Sequence, residues 1–550
     1  MTVPTARRAA ALATASAVLV GLAVAVPQAA SAVAPTDATN FAFIETTDAS
    51  QPGPLRQVAG LAPAAVTDAT NLTSGTLSTR FFDASSGTTT TATTTVATSV
   101  RTAGGTQALV VTNNGTSRIV STYNDANPVV SADGNTVWFV VHGNLFKYAV
   151  DTQTTTQISI GAEFNPWAAA PGSHTYLYRL AVSPNGLEAA VLQQSYPNSG
   201  SIGVNRSQIK VFDISQTGAA FDSTPLWTSY NYTGNTASDP QLLPYNLVFT
   251  DDDTLVFGEC VNDPCATWTT FSVTPSSAQS GVQTGTGITA LPNLDNLLGL
   301  KQSGGTWYAW SLTLDSGNTI TNITPYSTTD NTFSTPLTAG TMWPTGSGKW
   351  FSQITPLQAE PPAVGAVANK LPVTAAFAVS KTRIFAGRTV GYTASGTYKT
   401  GLAQDVSTVA GVLEKSIDGG KTWTTVVDPA AASGTTPRIW RNTYFHWKYA
   451  GDDLVAPATS ANRLVQAVPS LSFTVKRWGV YRIVTGKTGR VGGSVSMWKK
   501  VGTRWYRIHT TSVKARGLFN FGRQRLGTGL YKVTTSIDRS WASNFKAFRV

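Results

Sequence analysis

The stretch Val130-Ser-Ala-Asp-Gly-Asn-Thr-Val-Trp-Phe139 decides the fold of this chain. An apolar residue and a serine lead into Asp133-Gly134, and an apolar run follows. An Asp or Asn side chain can bond the turn backbone, Gly accepts positive φ, and the flanking apolar positions make two strands, so the stretch predicts a tight β-hairpin. The pattern returns at Val182-Ser-Pro-Asn-Gly-Leu-Glu-Ala-Ala-Val191, with Asn185-Gly186 at the turn. It returns again, one residue shorter, at Phe249-Thr-Asp-Asp-Asp-Thr-Leu-Val-Phe257. After the first copy, His142-Gly-Asn144 is another turn and Leu145-Phe-Lys-Tyr-Ala-Val150 another strand. Gln208-Ile-Lys-Val-Phe-Asp-Ile214 plays that part after the second copy, and more strands are expected at Leu297 to Leu300, Thr306 to Leu314 and Lys349 to Ile354. A repeating unit of short strands that cannot bury its own faces predicts the blades of a β-propeller.

The composition agrees. Of 550 residues 41% are hydrophobic and only 13% charged, against about 25% charged in an ordinary globular chain. Thr, Ser, Gly, Ala and Val fill the difference, which favours strands and turns. Ser131, Asp133 and Gly134 with Asp151, and Ser183, Asn185 and Gly186 with Asp213, resemble the TolB-like or WD-like β-propeller family, which reads Ser-x-Asp-Gly before a strand and ends a later strand in Asp. The resemblance spans residues 33–360 and implies six or seven blades at ~45 residues each.

The first residues read as an export signal. Arg7-Arg8 precede an apolar run from Ala9 to Val26, and Ala30-Ser-Ala32 offers small residues for cleavage, so residues 1–32 form a signal peptide and the mature chain is secreted or associated with the cell surface. No later stretch is apolar enough to span a membrane. The two cysteines, Cys260 and Cys265, are expected to close a short disulfide loop outside the cell. No cofactor and no metal are expected: two thiols lack the further ligands zinc needs, and the four histidines are scattered.

Residues 361–372, with Pro361, Pro362 and Pro372, read as a linker. Two similar units follow, 373–468 and 469–550. In the first, Gly411 to Trp423 gives strand, Gly turn and Trp; in the second, Gly493 to Trp505 does the same. With an inward Trp and short strands, they look like the Ig-like β-sandwich modules that end many secreted bacterial surface proteins, without the cysteine pair of antibody domains. The fold class is therefore all-β, a propeller followed by two sandwiches.

Signals of catalysis are sparse. Ser416-Ile-Asp-Gly-Gly-Lys-Thr-Trp423 matches the Asp-box of sialidases, in which Asp418, Gly419 and Trp423 would shape a hairpin turn, away from that family's active site. There is no Gly-x-Ser-x-Gly elbow and no His-Glu-x-x-His helix. Asp251, Asp252 and Asp253 are read as a solvated turn, because adjacent strand residues face opposite ways. Charge is more informative. Residues 470–550 hold 17 of the 40 Lys and Arg and one of the 29 acids, a net of +16, which leaves −5 for the rest. Such a field attracts polyanions. Lys499, Lys500, Arg504, Arg507, Arg523 and Arg525, several beside aromatics, are the expected contacts. The partner is an anionic cell-wall or extracellular polymer, or a protein, and nucleic acid is not bound specifically. These readings lead to the expectation of a non-catalytic binding protein; the competing expectation is a propeller glycosidase or lyase with Ig-like accessory modules.

Overall fold

The protein is described from a computed structural model. It describes residues 40–46, 55–59, 70–71, 77–85, 95–102, 105–122, 124, 126–131, 133–159, 164, 173–197, 206–232, 241–261, 267–290, 297–303, 306–314, 320–327, 332–333, 337–338, 350–357, 364, 366–400, 405–489, 492–536 and 541–550. The expected signal peptide lies outside the described residues. So does Cys265, whereas Cys260 is within strand Thr254–Val261.

All the described structure is strand, turn and loop, apart from single 3₁₀ turns at Gly218–Ala220 and Ala515–Gly517, and among the described residues no helix is long and apolar enough to cross a membrane. The chain divides into two compact units. The first comprises residues 1–72, 81–97 and 125–362; the second comprises 73–80, 98–124 and 363–550.

The first unit is a β-propeller built from antiparallel sheets of four strands, in sequence order in all but the one that joins the first strands to the last, and one of them with a fifth short strand. Strand Trp350–Leu357 pairs antiparallel with Asn40–Thr46, so the last strand completes the sheet of the first. Such closure leaves no long open edge in the ring. Strand Thr136–Val141 buries Val137 to Val141 in succession, as a strand covered on both faces must. Trp138, Val140 and Leu145 of that sheet pack with Leu180, Val191 and Phe212 of the next. Leu192, Ile209 and Trp227 then pack with Phe249, Phe257 and Phe271 of the one after. These three consecutive sheets thus bury their faces on one another.

The repeated turns close through their own side chains. Asp133 Oδ1 accepts from Ser131 Oγ at 2.5 Å and from the Asn135 N–H at 3.0 Å, with Gly134 at φ 74°. Asn185 Oδ1 accepts from Ser183 Oγ at 2.7 Å and the Leu187 N–H at 2.9 Å, with Gly186 at φ 70°.

In the second unit, Leu77, Val100, Ala108 and Val110 share a core with Val364, Val367, Tyr398, Leu454 and Val455. Residues 98–124 therefore group with the sandwich region, although the sequence places them before the proline-rich stretch. That stretch is no free spacer: Val364 and Val367 are buried, and Leu371 bridges Val455. Residues 374–468 form two sheets around Phe377, Tyr392, Leu413, Phe445, Trp447 and Val465. Trp447 is 1% exposed, and side chains at Gly396 or Gly411 would overlap its indole. Residues 471–549 form two more sheets. Leu471–Trp478, Tyr481–Thr488 and Leu518–Gln524 make one; Arg504–Ser512, Ser494–Val501, Leu530–Thr535 and Phe545–Arg549 make the other. Val484, Phe519 and Phe521 of the first meet Val495, Met497, Tyr531 and Val533 of the second in one core.

Candidate polyanion-binding surface

Strand alternation builds this surface. In Leu530–Thr535, Tyr531, Val533 and Thr535 are buried, so Lys532 points outward. Residues directly opposite on paired strands project from the same face. Trp498 lies opposite Lys532 and Arg507, Lys500 opposite Trp505, Phe545 opposite Thr534, and Arg549 opposite Leu530. The outer face of the second sheet therefore presents Lys500, Arg507, Lys532 and Arg549 interleaved with Trp498, Trp505 and Phe545. The Lys532 ammonium lies 4.4 Å from the Trp505 ring centre, 5.6 Å from that of Trp498 and 5.9 Å from that of Phe545. Trp498 Nε1 donates to Thr534 Oγ1 at 2.8 Å, which fixes the indole. Among the described residues of 470–550 there is no acid to neutralise these cations.

The six cations singled out in the sequence do not share this face. Lys500 and Arg507 are on it. Lys499 turns the other way, toward the Tyr531 ring at 5.8 Å, and Arg504 follows its parity. Arg523 belongs to the other sheet, where its guanidinium stacks 3.2 Å from the Trp478 ring centre, and Arg525 is exposed just beyond that strand. The reason is strand alternation and sheet membership: Lys499 and Lys500 are consecutive, Arg504 and Arg507 are three apart, and Arg523 stands on a strand of the other sheet. Lys532 and Arg549 complete the face; the alternation of Tyr531-Lys-Val already marked Lys532 as outward.

Trp505 is half-buried beneath Lys532 on the outer face, not in the core. Trp423 is its counterpart in the first sandwich and is likewise not a core residue: it stacks on His446 at 3.7 Å and donates from Nε1 to the Gly420 carbonyl. In that turn Asp418 Oδ1 accepts from Ser416 Oγ and from the Lys421 and Thr422 N–H groups, Oδ2 accepts from Thr422 Oγ1, and Gly419 has φ 85°. The inward tryptophan of the first sandwich is Trp447, outside the strand-turn-Trp signature.

The propeller holds two carboxylates in unusual settings. Glu188 lies opposite Asp213, and burial together with Asp253, Asp213 and Asp252 pushes its carboxyl up to about 7. Its Oε2 is buried without a hydrogen-bond partner among the described residues. Glu259 is buried, and burial raises its carboxyl; it accepts from the Tyr232 hydroxyl at 2.7 Å and from Gln283 Nε2 at 2.5 Å. Among the described residues no three His, Cys, Asp or Glu side chains are grouped to hold a metal ion.

No family model matches the chain, and no curated protein does. Solved structures do. Dipeptidyl peptidase 4 of Porphyromonas gingivalis matches at 11% identity and a TM-score of 0.28, over 82% of this chain and 64% of that one. Prolyl oligopeptidase B of Galerina marginata matches at 8% and 0.27, over 80% and 53%. The β-propeller domain of the Trilobed protease of Pyrococcus furiosus matches at 10% and 0.25, over 68% and 95%. The chain thus spans less than two-thirds of the length of either of the first two peptidases. These comparisons correct the expectation of a non-catalytic binding protein. The structures it resembles are two peptidases and the propeller of a third protease, so the chain is not assigned to a non-catalytic class. At such identities the likeness is one of fold, and the peptidase activities belong to those proteins.

Proposed function

We propose that residues 470–550 are a polyanion-binding module of an exported protein, and that an anionic cell-wall or extracellular polymer is its partner. One observation carries this reading: an outer sheet face where Lys500, Arg507, Lys532 and Arg549 alternate with three aromatic rings, without a described acid in the module. Cations without local counter-charges attract a polyanion over the screening length, and the rings around Lys532 hold its ammonium in place. The export half of the proposal rests on Arg7-Arg8, the apolar run and Ala30-Ser-Ala32, and the Cys260–Cys265 disulfide follows from it. The sheets of the first unit are taken as TolB-like blades, and the two sandwiches as Ig-like modules.

The test compares immobilised teichoic acid, heparin and neutral dextran as ligands for the full-length protein. Both polyanions should bind it and dextran should not. Substitution of Lys500→Glu, Arg507→Glu and Lys532→Glu together should weaken binding to both by ten-fold or more while the melting temperature holds. Unchanged binding would refute the assigned face.

A further inference from the structure

The first sandwich carries an exposed aromatic platform that its fold does not use. Gly387 and Arg388 exchange backbone hydrogen bonds with Ile439, at 2.8 and 2.9 Å. This brings Trp440, which follows the buried Ile439, against Gly387. Gly387 has φ +82°, and a Cβ there would lie 2.9 Å from both Cζ3 and Cη2 of the indole, so the ring occupies the space that a side chain would take. Only glycine offers both that φ and that seat. Trp440 is nonetheless 61% exposed, and Phe385, two residues before Gly387, is 60% exposed. Both rings thus face solvent, which core packing does not explain. Three arginines are close to them in the chain: Arg388 next to Gly387, Arg441 next to Trp440, and Arg438 two residues before it. All three are exposed, and none is ion-paired among the described residues.

We propose that Trp440 and Phe385, with Arg388, Arg438 and Arg441, form a second binding site, whose ligand is a pyranose chain bearing carboxylates. The C–H face of a pyranose ring is apolar and flat enough to cover an indole, and a guanidinium binds a carboxylate through two parallel N–H donors. A single-stranded nucleic acid could also stack on such rings. The glycan is favoured because the chain is read as exported, and to that extent this inference rests on the reading above. The site itself is separate, being on a different sandwich from Lys500, Arg507 and Lys532.

The experiment uses full-length protein in which Lys500→Gln, Arg507→Gln and Lys532→Gln have removed the other face. It is titrated calorimetrically with tetragalacturonate, with maltotetraose and with a four-residue deoxythymidine oligomer. Tetragalacturonate should bind, Trp440→Ala should weaken it ten-fold or more, and Trp440→Phe should restore part of that loss. Arg388→Gln should cost several-fold, and the melting temperature should not move, since Trp440 is outside the core. Absence of tetragalacturonate binding, an unchanged affinity in Trp440→Ala, or equal binding of the deoxythymidine oligomer would each overturn the proposal. Loss of polymer binding in the triple variant alone reports on the C-terminal face and leaves this inference standing.

Discussion

The two C-terminal sandwiches use their charged residues in opposite ways. In the first, the carboxylates of Glu414, Asp418 and Asp452 are consumed locally. Glu414 bonds His446 Nε2 at 2.8 Å and Lys448 Nζ at 3.4 Å. Asp418 closes a hairpin turn, and Asp452 Oδ1 accepts from the N–H groups of Leu454 and Val455. In the second, no described acid is present, and three of the cations lie on aromatic rings: Lys532 on Trp505, Arg523 on Trp478 and Lys499 on Tyr531. Ring contacts orient a cation without neutralising it. Two sandwiches of similar strand signature therefore differ in what they leave free. One spends its carboxylates on its own turns; the other keeps its positive field for a partner.

The sharpest contrast is between tryptophans. Trp447→Ala empties a core site enclosed by Gly396 and Gly411, and should cost ~3–5 kcal/mol. Trp505→Ala removes a half-buried ring from an outer face, and should cost under about 1 kcal/mol. It should instead weaken polyanion binding several-fold, because Lys532 loses the ring that holds it. Chemical denaturation of both variants checks the pair; equal destabilisation would erase the contrast.

The propeller offers a pH-dependent effect of intermediate size. The Glu188 carboxyl is pushed up to about 7 from 4.5 by burial and its three Asp neighbours. The folded state thus holds a proton that the unfolded chain has already lost across this window. The stabilising contribution is complete below about pH 4.5 and is lost as pH rises through 7. Glu188→Gln should accordingly raise stability at pH 8, by on the order of 1 kcal/mol because the group is half-exposed and screened, and should have no such effect at pH 4. Melting curves at both pH values decide it. A stabilisation that is the same at both would show that the carboxylate cluster is not the cause.

The smallest effect is expected at the Asp-box turn. Hydrogen bonds from Thr422 and Ser416 hold the Asp418 carboxyl well below the usual carboxylate range. A depressed folded value contributes stability above the unfolded value, and the contribution is lost as pH falls through the folded one. Asp418 is fully exposed, so Asp418→Asn should lower the melting temperature by only a degree or two at pH 7, with a smaller difference at pH 3. A larger drop would mean that the turn supports the Trp423–His446 stack more than the carboxylate itself does.

Hairpin chemistry was the most legible level of the sequence. Asp133-Gly134 and Asn185-Gly186 announce their turns because the signal is local, a side-chain acceptor followed by a glycine at positive φ. The charge segregation was legible for the same reason, since it needs only a count. Which cations share a face was legible only in part. Alternation alone separates Lys499 from Lys500 and Arg504 from Arg507, but that Arg523 stands on the other sheet and Arg549 lies opposite Leu530 follows only from the pairing of distant strands. The tryptophans misled in a related way: Trp505 and Trp423 follow a strand and a turn, but the core indole is Trp447, whose signal is two distant glycines, Gly396 and Gly411. The platform at Trp440 depends on Gly387, 53 positions earlier, and only the fold brings the two together.

The salt dependence of heparin binding by the full-length protein tests the central claim most directly. Three or more released counterions should make log affinity fall steeply with log salt concentration. The account predicts that Lys500→Glu, Arg507→Glu and Lys532→Glu together flatten that slope by about 2 to 3. A slope unchanged by the triple substitution, or a wild-type protein released below about 0.2 M salt, where the screening length is still about 7 Å, would contradict it.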